Sequence, residues 1–175
     1  MNVRANRSMK ELLGADAESP QRVRSECPRA LAAELRDGFK EVDGCVVPKL
    51  FDGGPIWSTI HPRVDGQHDE TGFECGLSKI HVEDFAGSAL PLADLACLGI
   101  AYALQLRAAL LRSFNSGVFR IIIDAQLPDP DLEVHGSICT VRHHKIRPGQ
   151  LWLTDDLDGY KLNGVMVIDF EAGEQ

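Results

Sequence analysis

No two of the five cysteines, Cys27, Cys45, Cys75, Cys97 and Cys139, stand at the close spacing of a zinc knuckle or a redox dithiol. Their odd number and scatter argue against a disulfide framework and for reduced thiols buried as small hydrophobes, as in a cytoplasmic protein. The opening MNVRANRSMKELLGADAES has no apolar core of the length a secretory signal needs, which points the same way. The densest apolar run, Leu95–Leu106, has 12 residues and is followed by Arg107 and Arg112. A membrane span takes about 20, so no membrane partner is expected. No HExxH pair, GxSxG elbow, internal repeat or low-complexity segment is present, and nothing in the chain calls for a cofactor.

Positive charge is also scarce where it would matter for nucleic acid. Residues 1–40 hold eight Lys or Arg against six Asp or Glu, a net of +2, while residues 41–175 hold ten against twenty, a net of −10. Binding nucleic acid takes clustered Lys and Arg that displace counterions, so it is not expected of the acidic body. An acidic surface does suit a basic protein partner, because opposite fields speed encounter and favour docking.

What the chain does contain is an ordinary globular composition, 44% hydrophobic and 25% charged, over 175 residues. That is the size of one domain, long enough to bury roughly two thirds of its unfolded surface. The stretch LPLADLACLGIAYALQLRAALLRSF, residues 90–114, reads as one long helix with Ser88 as N-cap and Asn115, Ser116 and Gly117 at its end. Asp94, Ala101, Gln105, Ala108 and Arg112 form one narrow stripe on it. The rest is so apolar that most sides need covering. A sheet, an outer helix or a second copy of the chain would each serve, which makes a homodimer one of the expected covers.

After that helix, Phe119, Ile121, Ile123, Ala125 and Leu127 alternate with Arg120, Asp124 and Gln126, the pattern of a half-buried strand. A second strand runs from Leu132 to about Ile146 with a bulge near Cys139–Val141, a short one covers Leu151–Leu153, and a closing one covers Val165–Phe170. Short connections favour a meander. Earlier, Leu31, Leu35 and Phe39 predict an amphipathic helix over residues 29–39, and GFECGLSKIHVEDF reads as a strand. The fold class is therefore α+β: an antiparallel sheet of about five to seven strands curled around the helix at 90–114, plus the helix at 29–39. Residues 1–26 read as a polar, part-helical arm and residues 27–175 as a single domain.

Three groups of residues offer chemistry. The carboxylates Asp129, Asp131 and Glu133 at one turn, and Asp155, Asp156 and Asp158 at another, are the candidate contacts for a basic partner. The second turn fails as a calcium loop, since Thr154 would hold its first position and Val165 its last. His61, His68 and Asp69 are the candidate metal ligands, imidazole with carboxylate in one loop. His143 and His144 lie in VRHHKIR, the basic cluster of the acidic body, and alternate faces of a strand at its solvent-facing end. Two functions follow as expectations. One is a small acidic cytosolic protein without catalysis that docks and neutralises a basic partner, in an inhibitor- or immunity-type role. The other is a small enzyme, such as a hydrolase, with a His/Asp site on the concave sheet face, drawing on His61, His68, His135 or Asp124.

Overall fold

The computed structural model describes residues 1–52, 69–86, 90–126 and 136–173. Strand β1 (Asn2–Ala5) leads into helix α1 (Arg7–Leu13), two 3-10 turns (Gly14–Glu18, Pro20–Arg22) and a short α2 (Arg29–Ala33). A hairpin, β2 (Phe39–Val42) and β3 (Cys45–Pro48), precedes α3 (Glu70–Leu77), β4 (Ile80–His81) and α4 (Glu83–Ala86). Then come α5 (Leu92–Ser113), β5 (Gly117–Gln126), β6 (Ile138–Lys145) and β7 (Asn163–Ala172). The fold is α+β, with a five-stranded sheet in the order β1-β7-β5-β6-β4 and the two-stranded hairpin beside it. Every pairing is antiparallel.

The alternating pattern of β5 works as expected. Phe119, Ile121, Ile123 and Ala125 are buried against α5, in register with Phe170, Ile168, Met166 and Gly164 of β7. From α5 itself Leu95, Ile100, Leu106 and Leu110 are fully or nearly fully buried. Each such side chain contributes about 1.5–3 kcal/mol on leaving water. By length and composition α5 could cross a membrane, yet more than half of its most apolar window is buried inside the protein, where it serves as the core helix. The sheet covers one side, and α1, α2 and β2 pack on others. Asp94, Gln105 and Arg112 remain exposed and Ala101 and Ala108 half-buried, so the polar stripe faces solvent in the single chain.

Gly99 marks a close approach of α5 to the sheet. A Cβ there would lie 2.9 Å from Cys139 Sγ, 3.4 Å from Ile123 Cγ2 and 3.5 Å from Val141 Cγ2. Gly99→Ala gains about 1 kcal/mol of helix propensity, which overpacking of about 1–3 kcal/mol outweighs. The expected result is a lower urea midpoint. Cys139→Ala should rescue it in part, making the double variant more stable than the two single losses predict. Simple additivity would show that the steric account is wrong.

Several sequence expectations give way to tertiary structure. The stretch read as one strand divides: it is helix as far as Leu77, where Asp69 Oδ1 accepts the Gly72 N–H at 2.7 Å as an N-cap and Thr71, Glu74 and Cys75 turn inward at helical spacing, and strand at Ile80–His81. The helix at 29–39 stops at Ala33; Leu31, Leu35 and Phe39 are all buried, but Gly38, at φ +73°, turns the chain into β2. Asp43 and Gly44, both at positive φ, close the β2–β3 hairpin.

The strands after α5 do not form a simple meander, because β7 crosses to the far side of β5 and lies between it and β1. No bulge interrupts β6, whose pairing with β5 is continuous from Phe119↔Lys145 to Gln126↔Ile138. Leu151–Leu153 is irregular rather than a strand. Residues 1–26, expected as an arm, include an edge strand of the sheet and Met9, with none of its surface exposed.

Asn6 fastens that N-terminal segment. Its Oδ1 accepts the Met9 and Val165 N–H groups, each at 2.9 Å, while Nδ2 donates to the carbonyls of Leu157, Tyr160 and Asn163. One buried amide thus caps α1 and holds the loop before β7.

Candidate functional site

The strand alternation that fills the α5 side with apolar groups sends a polar set to the opposite face of the sheet. That face carries Arg4, Arg120, Asp124, Gln126, Thr140, Arg142, His144 and Asp169. Part of it is covered by the loop after β6, where Leu153, Leu157 and Tyr160 pack on Val165 and Val167. Beside them Arg120 makes a two-pronged pair with Asp169 at 2.7 and 2.8 Å, and Arg142 lies over the Trp152 ring, 5.5 Å from its centroid.

The expected acidic contacts divide. Asp129, Asp131 and Glu133 lie outside the described residues, as do His61 and His68. Asp155, Asp156 and Asp158 are exposed on the covering loop, together with Leu151 and Leu162, which are 76% and 57% exposed. Two of these carboxylates also serve the fold. Asp158 Oδ1 accepts the Arg7 N–H at 2.7 Å, and Asp156 Oδ1 accepts the Asp158 N–H at 3.2 Å. Asp155, with 90% of its side chain in solvent, has Arg4 at 3.8 Å. Asp69 caps α3 through Oδ1. Among the described residues no three His, Cys, Asp or Glu side chains converge as a metal site.

A hollow of about 160 Å³ opens on the same sheet face, lined by Lys79, His81, Asp124, Gln126, Ile138, Thr140 and Arg142. Register explains its composition: His81 pairs with Thr140 and Thr140 with Asp124, a row across three adjacent strands. Glu83 orients His81, with Oε1 2.9 Å from Nδ1, and is itself held by the Cys139 N–H at 3.0 Å on Oε2. A carboxylate oxygen only accepts, so Nδ1 carries the proton of neutral His81 and Nε2 is left as an acceptor. Asp124 receives an Asn163 N–H at 2.6 Å. Burial pushes its pKa up, opposed by that hydrogen bond and by the charges of Arg142 and Lys79. An oriented imidazole and a partly desolvated carboxyl thus line one hollow from either side of Thr140, each a group able to hold a proton. The enzymatic expectation placed a His/Asp site on the concave, helix-side face; that face is packed with apolar side chains, and Asp124 points away from it.

His143 and His144 are the larger departure. Expected at a solvent-facing strand end, both are buried. His143 faces inward edge-on to Phe39, with ring centroids 4.9 Å apart, and His144 lies on the opposite face. Nε2 of each lacks a hydrogen-bond partner among the described residues. Burial drives the His143 pKa down to about 3, helped by His144, and burial lowers that of His144. Neutral imidazoles in these positions are structural.

The most elaborate polar centre was not foreseen in the sequence at all. Glu74 of α3, with no exposed surface, takes Arg147 Nη2 at 2.6 Å and Nη1 at 2.9 Å on its two oxygens. It also accepts the Val46 N–H from β3 and the Lys145 N–H from β6. Ser78 Oγ both accepts from and donates to the His143 backbone. Side chains of α3 and of its C-cap thereby continue the edge of β6 where β4 ends. A buried Glu four residues before a Ser in a segment flanked by glycines gives no pattern that distinguishes such a role from a strand.

A family model described as "Uncharacterized protein PM0498 family" matches residues 4–174, and the chain belongs to that family. No curated protein and no solved structure matches it.

Proposed function

We propose that this member of the PM0498 family is a small non-catalytic binding protein that docks a basic protein partner in the cytosol, in an inhibitor- or immunity-type role. The observation that carries the reading is the covering loop of the outer sheet face, where exposed Asp155, Asp156 and Asp158 stand with the exposed Leu151 and Leu162. Apolar anchors edged by one sign of charge combine contact area with electrostatic steering. The net charge of −10 over residues 41–175 acts in the same sense at longer range.

Affinity capture from host lysate, repeated with the triple variant Asp155→Asn, Asp156→Asn, Asp158→Asn, tests it. Asn keeps the oxygen acceptors that Asp156 and Asp158 use, so the fold is retained. The expected outcome is a basic partner whose association slows by about tenfold or more in the variant and at high salt. A partner whose association rate ignores both changes would refute the electrostatic reading.

A second reading, a small hydrolase, is favoured by the Glu83–His81 pair beside Thr140 and Asp124. Loss of turnover in a folded His81→Ala variant would select it; a chain inert towards ester, amide and phosphoester substrates would leave docking alone.

A further inference from the structure

Independently of either reading, we propose that the hollow on the outer sheet face binds a small oxyanion that carries a hydroxyl, such as hydrogen phosphate or a short hydroxy acid. The register that pairs His81 with Thr140 brings Lys79, two residues earlier on the same side of the chain, next to Arg142. Two like charges on neighbouring strands repel unless an anion lies between them. Among the described residues neither forms a salt bridge, and the nearby Asp124 carboxylate, which feels both charges, offsets one of the two. Arg142 is held over Trp152, so its guanidinium is already positioned.

The next row supplies the remaining chemistry. Thr140 lies between His81 and Asp124, with neighbouring Cβ atoms on such a row about 5 Å apart. Its hydroxyl and the Gln126 amide donate, while Asp124 and His81 Nε2 accept. An oxyanion seated on Lys79 and Arg142 therefore meets donors for its charged oxygens and acceptors for an O–H. A plain oxyanion satisfies only the first half. The hollow, about 160 Å³, has room for an ion of the size of hydrogen phosphate or lactate.

Calorimetric titration of the full chain at fixed ionic strength, near neutral pH, with hydrogen phosphate, lactate, sulfate and acetate tests this. Saturable binding of hydrogen phosphate, lactate or both is expected, and which of them binds identifies the source of the ligand. Sulfate and acetate should bind at least about tenfold more weakly, having no hydroxyl for Asp124 and His81. Lys79 is exposed, so Lys79→Gln should leave the urea midpoint unchanged while weakening binding about tenfold or more. Thr140→Val should weaken it less. Absence of saturable binding by all four ions would overturn the proposal, as would equal affinity for the hydroxylated and plain ions or binding indifferent to Lys79→Gln.

Discussion

Glu74→Ala is expected to cost about 3–5 kcal/mol, the loss typical when one partner of a buried ion pair is removed. On a protein with the usual reserve of about 5–15 kcal/mol this lowers the urea midpoint severely or leaves the chain largely unfolded. The size follows from what Glu74 satisfies: the Val46 N–H of β3 and, at the end of β6, the Lys145 N–H and the Arg147 guanidinium. Without the carboxylate, Arg147 keeps, among the described residues, the Gly44 and Lys145 carbonyls and a 3.4 Å contact to Thr71. Both backbone donors lose a partner, at about 1–3 kcal/mol for each left dry.

Glu74→Gln separates charge from shape. It retains acceptor capacity but places an amide N–H against a donor, so an intermediate loss is expected. Replacing the pair together, Glu74→Met with Arg147→Met, should cost clearly less than the sum of the single changes, because no charge is stranded. A Glu74→Ala protein within about 1 kcal/mol of the parent would show that water takes over the carboxylate's role and that α3 does not bind the hairpin to the sheet.

The same centre explains which parts of the fold were legible in the sequence. Both α5 and β5 could be read because each keeps one period for ten residues or more and buries a continuous apolar face. In β1 there are only four residues, and their strand character comes from the partner β7. Helix α3 was misread because its inward face is Thr71, Glu74 and Cys75, two of them polar, so hydrophobic periodicity carried no signal. The outer-face hollow was unreadable for a related reason: His81, Thr140 and Asp124 meet only through the pairing of three strands separated by α5 and by the β5–β6 connection. Asp124 was among the candidate groups, but His81, which shares its hollow, was not, and His135 lies outside the described residues. The acidic turn at Asp155–Asp158 could be located as a charged loop, whereas the leucines that stand with it are apolar side chains that composition alone would bury.

Acidification should weaken the fold well before carboxylates protonate, and the two buried histidines set the size of the effect. In the unfolded chain each takes up a proton near pH 6.5. In the folded chain burial holds His143 neutral down to about pH 3 and shifts His144 in the same direction. A histidine whose folded pKa lies below its unfolded value gives full stability above the unfolded value and loses it as pH falls between the two. Each residue then subtracts up to about 1.4 kcal/mol per pH unit. From about pH 7.5 to about pH 5, His143 alone removes about 2 kcal/mol, and the pair up to about 4 kcal/mol where both stay neutral.

Two carboxyls modify the lower end. Asp124, raised by burial, returns stability as pH approaches its unfolded value, while Glu70, lowered by backbone and Gln150 hydrogen bonds, adds to the loss only towards more acid pH. Urea midpoints measured across the range should fall steadily below about pH 6.5, and His143→Leu should remove roughly half of that slope while the residue packs against Phe39 in place of the ring. A midpoint that holds level down to about pH 5 would mean that His143 gains its proton without unfolding, through an opening of β6 or water at Nε2, and the buried-imidazole account of this strand would have to be abandoned.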